Sequence, residues 1–290
     1  MCRPASLIVT KNAVLWSKLA ESHETIISKN NLDDTTREPD FVRVEIGPPD
    51  GNYTLPPDEW AFRADQDFLP KWWLTGEDEK RVRAELPAWI AAKVVLPDEK
   101  REKITQHCVA VYGCIDSVRG SARIDSVCGS ARIDSVRDSA HIDSVWGSAR
   151  IDSVWGSARI GSVCGSAHID SVRDSARIDS VCDSARIGYV RDSAHIDSVR
   201  GSARIGSVCG SAHINSVRGS VSIGSVRDSA GIGYMRDSAV VESIDGVAIV
   251  VTYTAQPLCI LHGIHAVLIN RSGDYPVCYT GAGLNAGEYE

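Results

Sequence analysis

The chain has no stretch of the roughly 18 consecutive apolar residues that a membrane-spanning helix needs. Residues 1–16 also lack the continuous apolar core and the cleavage pattern of a secretory signal. Together these absences predict a soluble protein that is not exported and has no membrane partner. No segment concentrates Lys and Arg, and the net charge is −7, so nucleic acid is not an expected partner.

Catalytic patterns are lacking as well. No nucleophile stands beside a base in a recognisable context, and neither a paired-carboxylate cleft nor a phosphate loop is visible. Solenoid enzymes that cleave polysaccharides gather Asp residues on one face, as Asp134, Asp143 and Asp152 could do. Those enzymes frame the acids with long irregular loops, which this chain does not have. We therefore predict no enzyme activity, no catalytic residues and no cofactor.

Lysine is missing from everything after Lys103, and Arg and Asp are the only residues charged at neutral pH between Ile115 and Val241. That block is an array of a nine-residue unit, I-D-S-V-x-[G/D]-S-A-x. Isoleucine occupies every ninth position from Ile115 to Ile232, and Val241 takes the next one. A fixed short period indicates units that bury their apolar faces only by stacking on their neighbours.

Each unit predicts one short strand and one corner of a parallel β-solenoid. Ala122, Ile124 and Ser126 alternate and would share one face, and the segment 127–130 has turn-forming residues. A coil of two units has a period of 18, and a coil of three units has a period of 27. His141, His168 and His195 recur at 27, whereas an 18-residue coil aligns Cys128, Trp146, Cys164 and Cys182. We favour the two-sided coil of 18 residues, and the three-sided coil of 27 residues remains open.

Three regions follow from this pattern. Residues 1–108 predict a small α+β domain with a hairpin near residues 6–16, strands near 41–46 and 59–63, and helices near 21–30 and 76–92. Residues 109–246 predict the solenoid. Residues 247–290 predict strands that cap its open end, because an unpaired edge invites aggregation.

The N-terminal motifs resemble a known group of proteins. The motifs S-H-E-T-I-I at 22–27, F-V-R-V-E-I-G-P-P-D at 41–50 and W-A-F-R-A-D-Q-D-F-L-P-K-W-W at 60–73 are followed by the repeats. This layout is similar to uncharacterised proteins of phages and prophages with nonapeptide repeats. The present chain has Arg or His where that group commonly has Thr, and Ile for Val. The resemblance implies a phage setting, in the bacterial cytoplasm or on the virion, and no activity or site residues.

The chain has nine cysteines, and those in the repeats occupy a position otherwise held by Arg or Trp, which predicts ordinary thiols. Cys259, His262, His265 and Cys278 are soft ligands whose spacing matches no known zinc motif, so no metal site is predicted. Calcium is not expected either, because the corners lack the Gly-Gly-x-Gly-x-Asp sequence of calcium-binding rolls.

Three functions remain. The leading one is a non-catalytic structural or interaction protein, a rigid scaffold that contacts a protein partner through its N-terminal domain. The second is a binding module for an anionic glycan or surface polymer, which would show a basic column with exposed Trp146 and Trp155. The third is a decoy of nucleic acid that inhibits a host enzyme, which would show one continuous acidic column. With 15 Arg and 14 Asp in the block, a neutral exterior is expected, which favours the scaffold.

Overall fold

The computed structural model describes residues 4–36, 39–254, 260–261, 265–273 and 277–280. A four-stranded antiparallel sheet in the order β2-β1-β3-β4 and two α-helices form the N-terminal part. Their bounds are β1 Ala5–Thr10, β2 Val14–Leu15, α1 His23–Lys29, β3 Phe41–Gly47, β4 Ala61–Ala64 and α2 Thr75–Lys93, with short 3-10 turns at Pro49–Gly51 and Pro57–Glu59. The hairpin, the two later strands and both helices lie where the sequence pattern predicted them.

Two long sheets make up the rest of the described chain. The ten-stranded one, here called the even sheet, contains β6 Lys100–Ile104, β8 Cys114–Val118, β10 Arg132–Val136, β12 Arg150–Val154, β14 His168–Val172, β16 Arg186–Val190, β18 Arg204–Val208, β20 Ser222–Val226, β22 Val240–Ile244 and β24 Ile260–Leu261. The twelve-stranded one, the odd sheet, contains β5 Val94–Val95, β7 His107–Val111, β9 Arg123–Val127, β11 His141–Val145, β13 Arg159–Val163, β15 Arg177–Val181, β17 His195–Val199, β19 His213–Val217, β21 Gly231–Met235, β23 Ile249–Thr252, β25 Val267–Asn270 and β26 Val277–Thr280.

Successive strands alternate between the two sheets, so one coil takes two units. Ile133 lies beside Ile151 in the even sheet and Ile142 lies beside Ile160 in the odd sheet, and each pair is parallel and separated by two units. The mainly β fold and the parallel solenoid are confirmed, and the coil is the two-sided form. About nine coils at a strand spacing of about 4.8 Å give a stack roughly 40 Å long.

Ala, Ile and Val fill the narrow interior. In the unit that contains β9, Ala122, Ile124 and Val127 are all fully buried. The prediction that placed Val in the corner was wrong, because Val127 is the last strand residue and a second bulky core side chain. Most of the serines of the strands are only half-buried, and several donate to the preceding coil, as Ser144 Oγ does to the Asp125 carbonyl at 3.0 Å.

The corner residue written G or D adopts a left-handed conformation, with φ of 74° at Gly147 and 59° at Asp228. Glycine reaches this region without steric cost, and Asp is among the few others that tolerate it. Each corner Asp also accepts a hydrogen bond from a backbone N–H one coil earlier, as Asp228 Oδ2 does from Gly210 at 2.9 Å. The other corner acceptors are Asp138, Asp174, Asp183, Asp192 and Asp237.

The N-terminal part packs directly on the first coil. Its apolar core joins Trp60, Trp89 and Val44 to Val94 and Val109, which belong to strands of the odd sheet. The parallel pairing begins at β5 and β6, so it starts before the boundary at 108 that the sequence suggested. The first coil is irregular, since β7 pairs with β9 at a shorter sequence separation than the two full units of the later coils.

The parallel stacking also continues past residue 246. Strand β23 pairs with β25 in parallel, and β25 then pairs with β26 in antiparallel fashion. The antiparallel strand ends the regular progression of the odd sheet. Neither α-helix in the described part has the length and apolarity needed to cross a membrane.

Candidate functional site

Outward-facing Arg and Asp form a pairing pattern across coils. Three Arg residues that precede the central Ile reach the Asp that follows the Ile of the next coil. The pairs are Arg123 with Asp143 at 2.5 Å, Arg150 with Asp170 at 3.5 Å and Arg159 with Asp179 at 3.7 Å. Arg123 also contacts Asp125 of its own strand at 3.3 Å, as the sequence predicted. The three pairs between coils are exposed and are each worth about 0–1 kcal/mol.

The pattern is interrupted on three successive strands of the even sheet. The Asp column of this sheet runs through Asp116, Asp134, Asp152 and Asp170, and then continues as Gly188, Gly206 and Gly224. The partner positions of Arg186 and Arg204 are therefore Gly206 and Gly224. Among the described residues, neither guanidinium has an ion pair or a hydrogen bond, and both side chains are exposed.

These glycines leave a shallow depression on the even sheet. It encloses about 540 Å³ and is lined by His168, Arg186, Arg204, Gly206, Gly224 and Glu242, among others. A Cβ atom added at Gly206 would lie 2.5 Å from the carbonyl oxygen of Gly188. A side chain therefore cannot be added here without a shift of the backbone.

The repeat histidines pair with carboxylates of their own strands. His141, His168 and His195 lie 2.8, 2.5 and 2.6 Å from the Asp two positions later. The three-unit spacing puts them on alternating sheets rather than in one column. His195 and His213 do stack, with ring centroids 5.7 Å apart, and burial, together with the neighbouring His195, lowers the pKa of His213.

The two repeat tryptophans lie on opposite edges of the solenoid. Trp146 belongs to the corner column of Cys128, here called the Cys128 edge, and is 46% exposed. Trp155 belongs to the other column, the Arg119 edge, where its ring lies between the guanidinium groups of Arg137 and Arg173 at 5.4 and 5.5 Å. The two rings therefore do not form one aromatic surface.

Cysteines on the Cys128 edge depart from the prediction of ordinary thiols. Cys164 and Cys182 form a disulfide, with Cα atoms 4.8 Å apart. The two-unit coil brings them onto adjacent corners, within the range of Cα separations that a disulfide spans. Asp183 lies within 4.8 Å of both sulfur atoms, but a metal requires thiolates and the disulfide provides none.

A buried chain of ionisable groups joins the N-terminal part to the solenoid. Lys93 Nζ lies 3.0 Å from Glu21 Oε1 and 3.1 Å from His107 Nδ1. His107 Nε2 in turn lies 2.9 Å from Asp125 Oδ1, which Arg123 also contacts. A protonated Lys93 donates to Nδ1, and the Nε2–H of His107 then donates to Asp125 Oδ1. The chain therefore crosses from α2 through β7 to β9.

Burial determines the pKa direction of Glu21 and Lys93 but not that of Asp125. It raises the pKa of Glu21 and lowers the pKa of Lys93, and their mutual attraction opposes each shift without reversing it. Burial alone would also raise the pKa of Asp125. Contacts with His107 and Arg123 outweigh burial there, so the pKa of Asp125 lies below its ordinary value of 3.8. Nothing in the repeat pattern predicts this series of buried ionisable groups, because Glu21 and Lys93 lie in the irregular N-terminal part.

The remaining residues singled out by sequence do not converge. Asp134 and Asp152 are on the even sheet and Asp143 is on the odd sheet. Cys259 and His262 lie outside the described residues. His265 is exposed and Cys278 is half-buried on β26.

Comparisons with known proteins add no assignment. The chain was compared with protein-family models, with curated proteins and with solved structures, and nothing matched. The functional argument therefore rests on the geometry alone.

Proposed function

We propose that the protein is a non-catalytic scaffold, a rigid solenoid that carries the N-terminal domain at one end. One observation carries this proposal: both sheets stack in register through the repeat block, with Ala, Ile and Val filling the interior of each coil. No long loop interrupts the described coils between residues 114 and 254. A structure of this kind sets a distance and displays columns of side chains, which suits a spacer.

A protein partner would dock on the N-terminal domain. Three of its apolar side chains, Leu19, Leu69 and Leu74, are 55%, 41% and 62% exposed. The buried ionic chain and the shared apolar core fix this domain on the first coil. A partner held there would be positioned relative to the whole stack. The phage setting implied by the resemblance remains a prediction.

The decoy hypothesis has less support. Four Asp residues form an acidic column on the even sheet, but Arg132 and Arg150 stand beside it and the column ends at Asp170. A mimic of nucleic acid needs continuous negative charge over many coils. The scaffold proposal requires no such column.

Deletion of one coil tests the scaffold. Removal of residues 186–203 takes out one whole coil of two units, and we expect a folded protein that is shorter by about 4.8 Å. Removal of a single unit, residues 186–194, would exchange the two sheets for all later strands and should disturb the stack. Small-angle scattering and circular dichroism measure both. A two-unit deletion that unfolds the chain, or leaves its length unchanged, would contradict the proposal.

A further inference from the structure

Charge is unevenly distributed along the solenoid, although the array as a whole is close to neutral. Residues 115–185 contain eight Arg and ten Asp, whereas residues 186–227 contain six Arg and two Asp. The expectation of a neutral exterior therefore does not hold coil by coil. The later coils carry an excess of positive charge, and part of it lies on the even sheet.

Among the described residues, none of the six Arg of this segment has an ion pair, and for two of them the partner position itself is a glycine. Arg186 and Arg204 stand in one column on adjacent parallel strands, so their backbones are about 4.8 Å apart. By the Arg–Asp pattern, the acidic partners of these two arginines would stand at positions 206 and 224, and both positions are glycines. Two like charges at this spacing repel unless an anion lies between or beside them. Planar guanidinium groups bind oxyanions such as carboxylate and sulfate through paired hydrogen bonds.

An exposed aromatic side chain lies on the same strand as Arg186, outside the residues that line the depression. Tyr189 replaces the Ser of the repeat and follows Gly188 on the same strand as Arg186. It is 55% exposed, whereas the equivalent Ser207 one coil later is almost fully buried. Because position 188 is glycine, no Asp side chain stands beside Arg186 on this strand. The exposed ring offers an apolar face and a hydroxyl group at its tip.

We infer that the strip formed by Arg186, Arg204 and Tyr189 binds an acidic oligosaccharide. Its carboxylate or sulfate oxygens accept hydrogen bonds from the two guanidinium groups, and a sugar ring packs against Tyr189. The glycine floor at Gly206 and Gly224 lets the oligosaccharide approach the backbone. The scaffold proposal concerns the fold and length of the solenoid, and both would be unchanged if the strip bound no sugar. A negative binding result would therefore overturn this inference and leave the scaffold proposal standing.

Nucleic acid fits the strip less well. Surfaces that hold single strands use several aromatic platforms along a basic groove, and this strip has one aromatic residue. Glu242 lines one end of the depression and would repel any polyanion, phosphate chain or acidic sugar, that continued past it. His168 and Asp170, whose side chains lie 2.5 Å apart, limit the other end. A short acidic segment satisfies these limits.

Calorimetry on the full chain tests the inference directly. The probes are a hexamer of galacturonate, a heparin hexasaccharide, the neutral maltohexaose and a six-nucleotide thymidine strand. We expect one or both acidic sugars to bind, with affinity that falls as salt is raised, and maltohexaose not to bind. The probe that binds identifies the oxyanion. Failure of both acidic sugars, or tighter binding of the nucleotide strand, overturns the inference.

Matched variants locate the binding. The double variant Arg186→Gln with Arg204→Gln should weaken it by about tenfold or more, because hydrogen bonds to charged groups are lost. The control is Arg132→Gln with Arg150→Gln, which changes the same Arg column at coils where the partner positions carry Asp instead of Gly. It should change binding by less than about twofold. Equal loss in both pairs would show nonspecific attraction and overturn the assignment.

Tyr189→Ser restores the repeat sequence and therefore should not affect folding. We expect it to weaken binding severalfold, with an unchanged melting temperature. Tyr234→Ser makes the same change on the odd sheet, where Tyr234 lies near Arg236, and should leave binding as it is. If the Tyr234 variant loses binding and the Tyr189 variant does not, the strip is not the site.

Discussion

At the scale of single residues, the choice between Gly and Asp in each corner has a physical reason. Both tolerate the positive φ that closes the turn. Asp adds a carboxylate that accepts a backbone N–H of the previous coil, as all six corner Asp residues do in the described array. A corner Asp therefore links two coils, whereas a corner Gly only permits the turn.

The Asp228→Ala variant tests this account. Alanine retains the unfavourable φ and removes the hydrogen bond to Gly210, so we expect a loss of about 1–2 kcal/mol. Asp228→Gly removes the same hydrogen bond but relieves the backbone, and should cost less. Thermal unfolding followed by circular dichroism compares them. An alanine variant as stable as the glycine variant would disprove the argument.

Sequence alone revealed part of the residue pattern. The inward Ala and Ile followed from periodicity, but Val127 was misplaced because the alternation rule assumes a straight strand. The unpaired Arg186 and Arg204 were not recognised either, since their partners are identified only when the coil length is known. Aligning the sequence at a period of 18 and searching for departures at the Asp position would have found them.

At the scale of elements, the junction between α2, β7 and β9 depends on charge. Because the pKa of Asp125 is lowered in the folded chain, its carboxylate stabilises the fold at neutral pH. That contribution is complete above the ordinary value of 3.8 and is lost as the pH falls through the lower folded value.

The Asp125→Asn variant should therefore melt at a lower temperature than the parent at pH 7, with a loss of about 1.5–3 kcal/mol. The difference should shrink as the pH falls below 3.8. Asp134→Asn, an exposed change on the even sheet, serves as the control and should have little effect. A difference that stays constant down to pH 2 would contradict the role assigned to Asp125.

The Cys164–Cys182 bond joins adjacent coils at their corners. Because it closes a loop of 18 residues, it should add at most about 3 kcal/mol. Non-reducing peptide mapping should recover the two cysteines in one linked fragment, and a reductant should lower the melting temperature. In Cys164→Ser the reductant should have no comparable effect. Recovery of both cysteines as free thiols would refute the pairing.

At the scale of the whole molecule, the repeat period determined the architecture but not the number of sides. The histidines recur at a spacing of 27 residues and indicate three units per coil, whereas the cysteines recur at 18 and indicate two. Such spacings can conflict because repeat units are duplicated in the gene independently of how many units make one coil. What decides is packing: Ala, Ile and Val from two facing sheets fill the narrow interior together. The ionic chain at the N-terminal end was not predictable, since its members come from segments with no shared period.

Engineered disulfides measure the coil length most directly. In a background with the other cysteines replaced by Ser and the Cys164–Cys182 pair retained, Arg218→Cys with Arg236→Cys places two thiols two units apart on the Cys128 edge. Arg191→Cys with Arg218→Cys places them three units apart, on opposite edges. The two-sided solenoid predicts that the first pair oxidises to a disulfide and the second stays free. Cross-linking of the three-unit pair without the two-unit pair would contradict it.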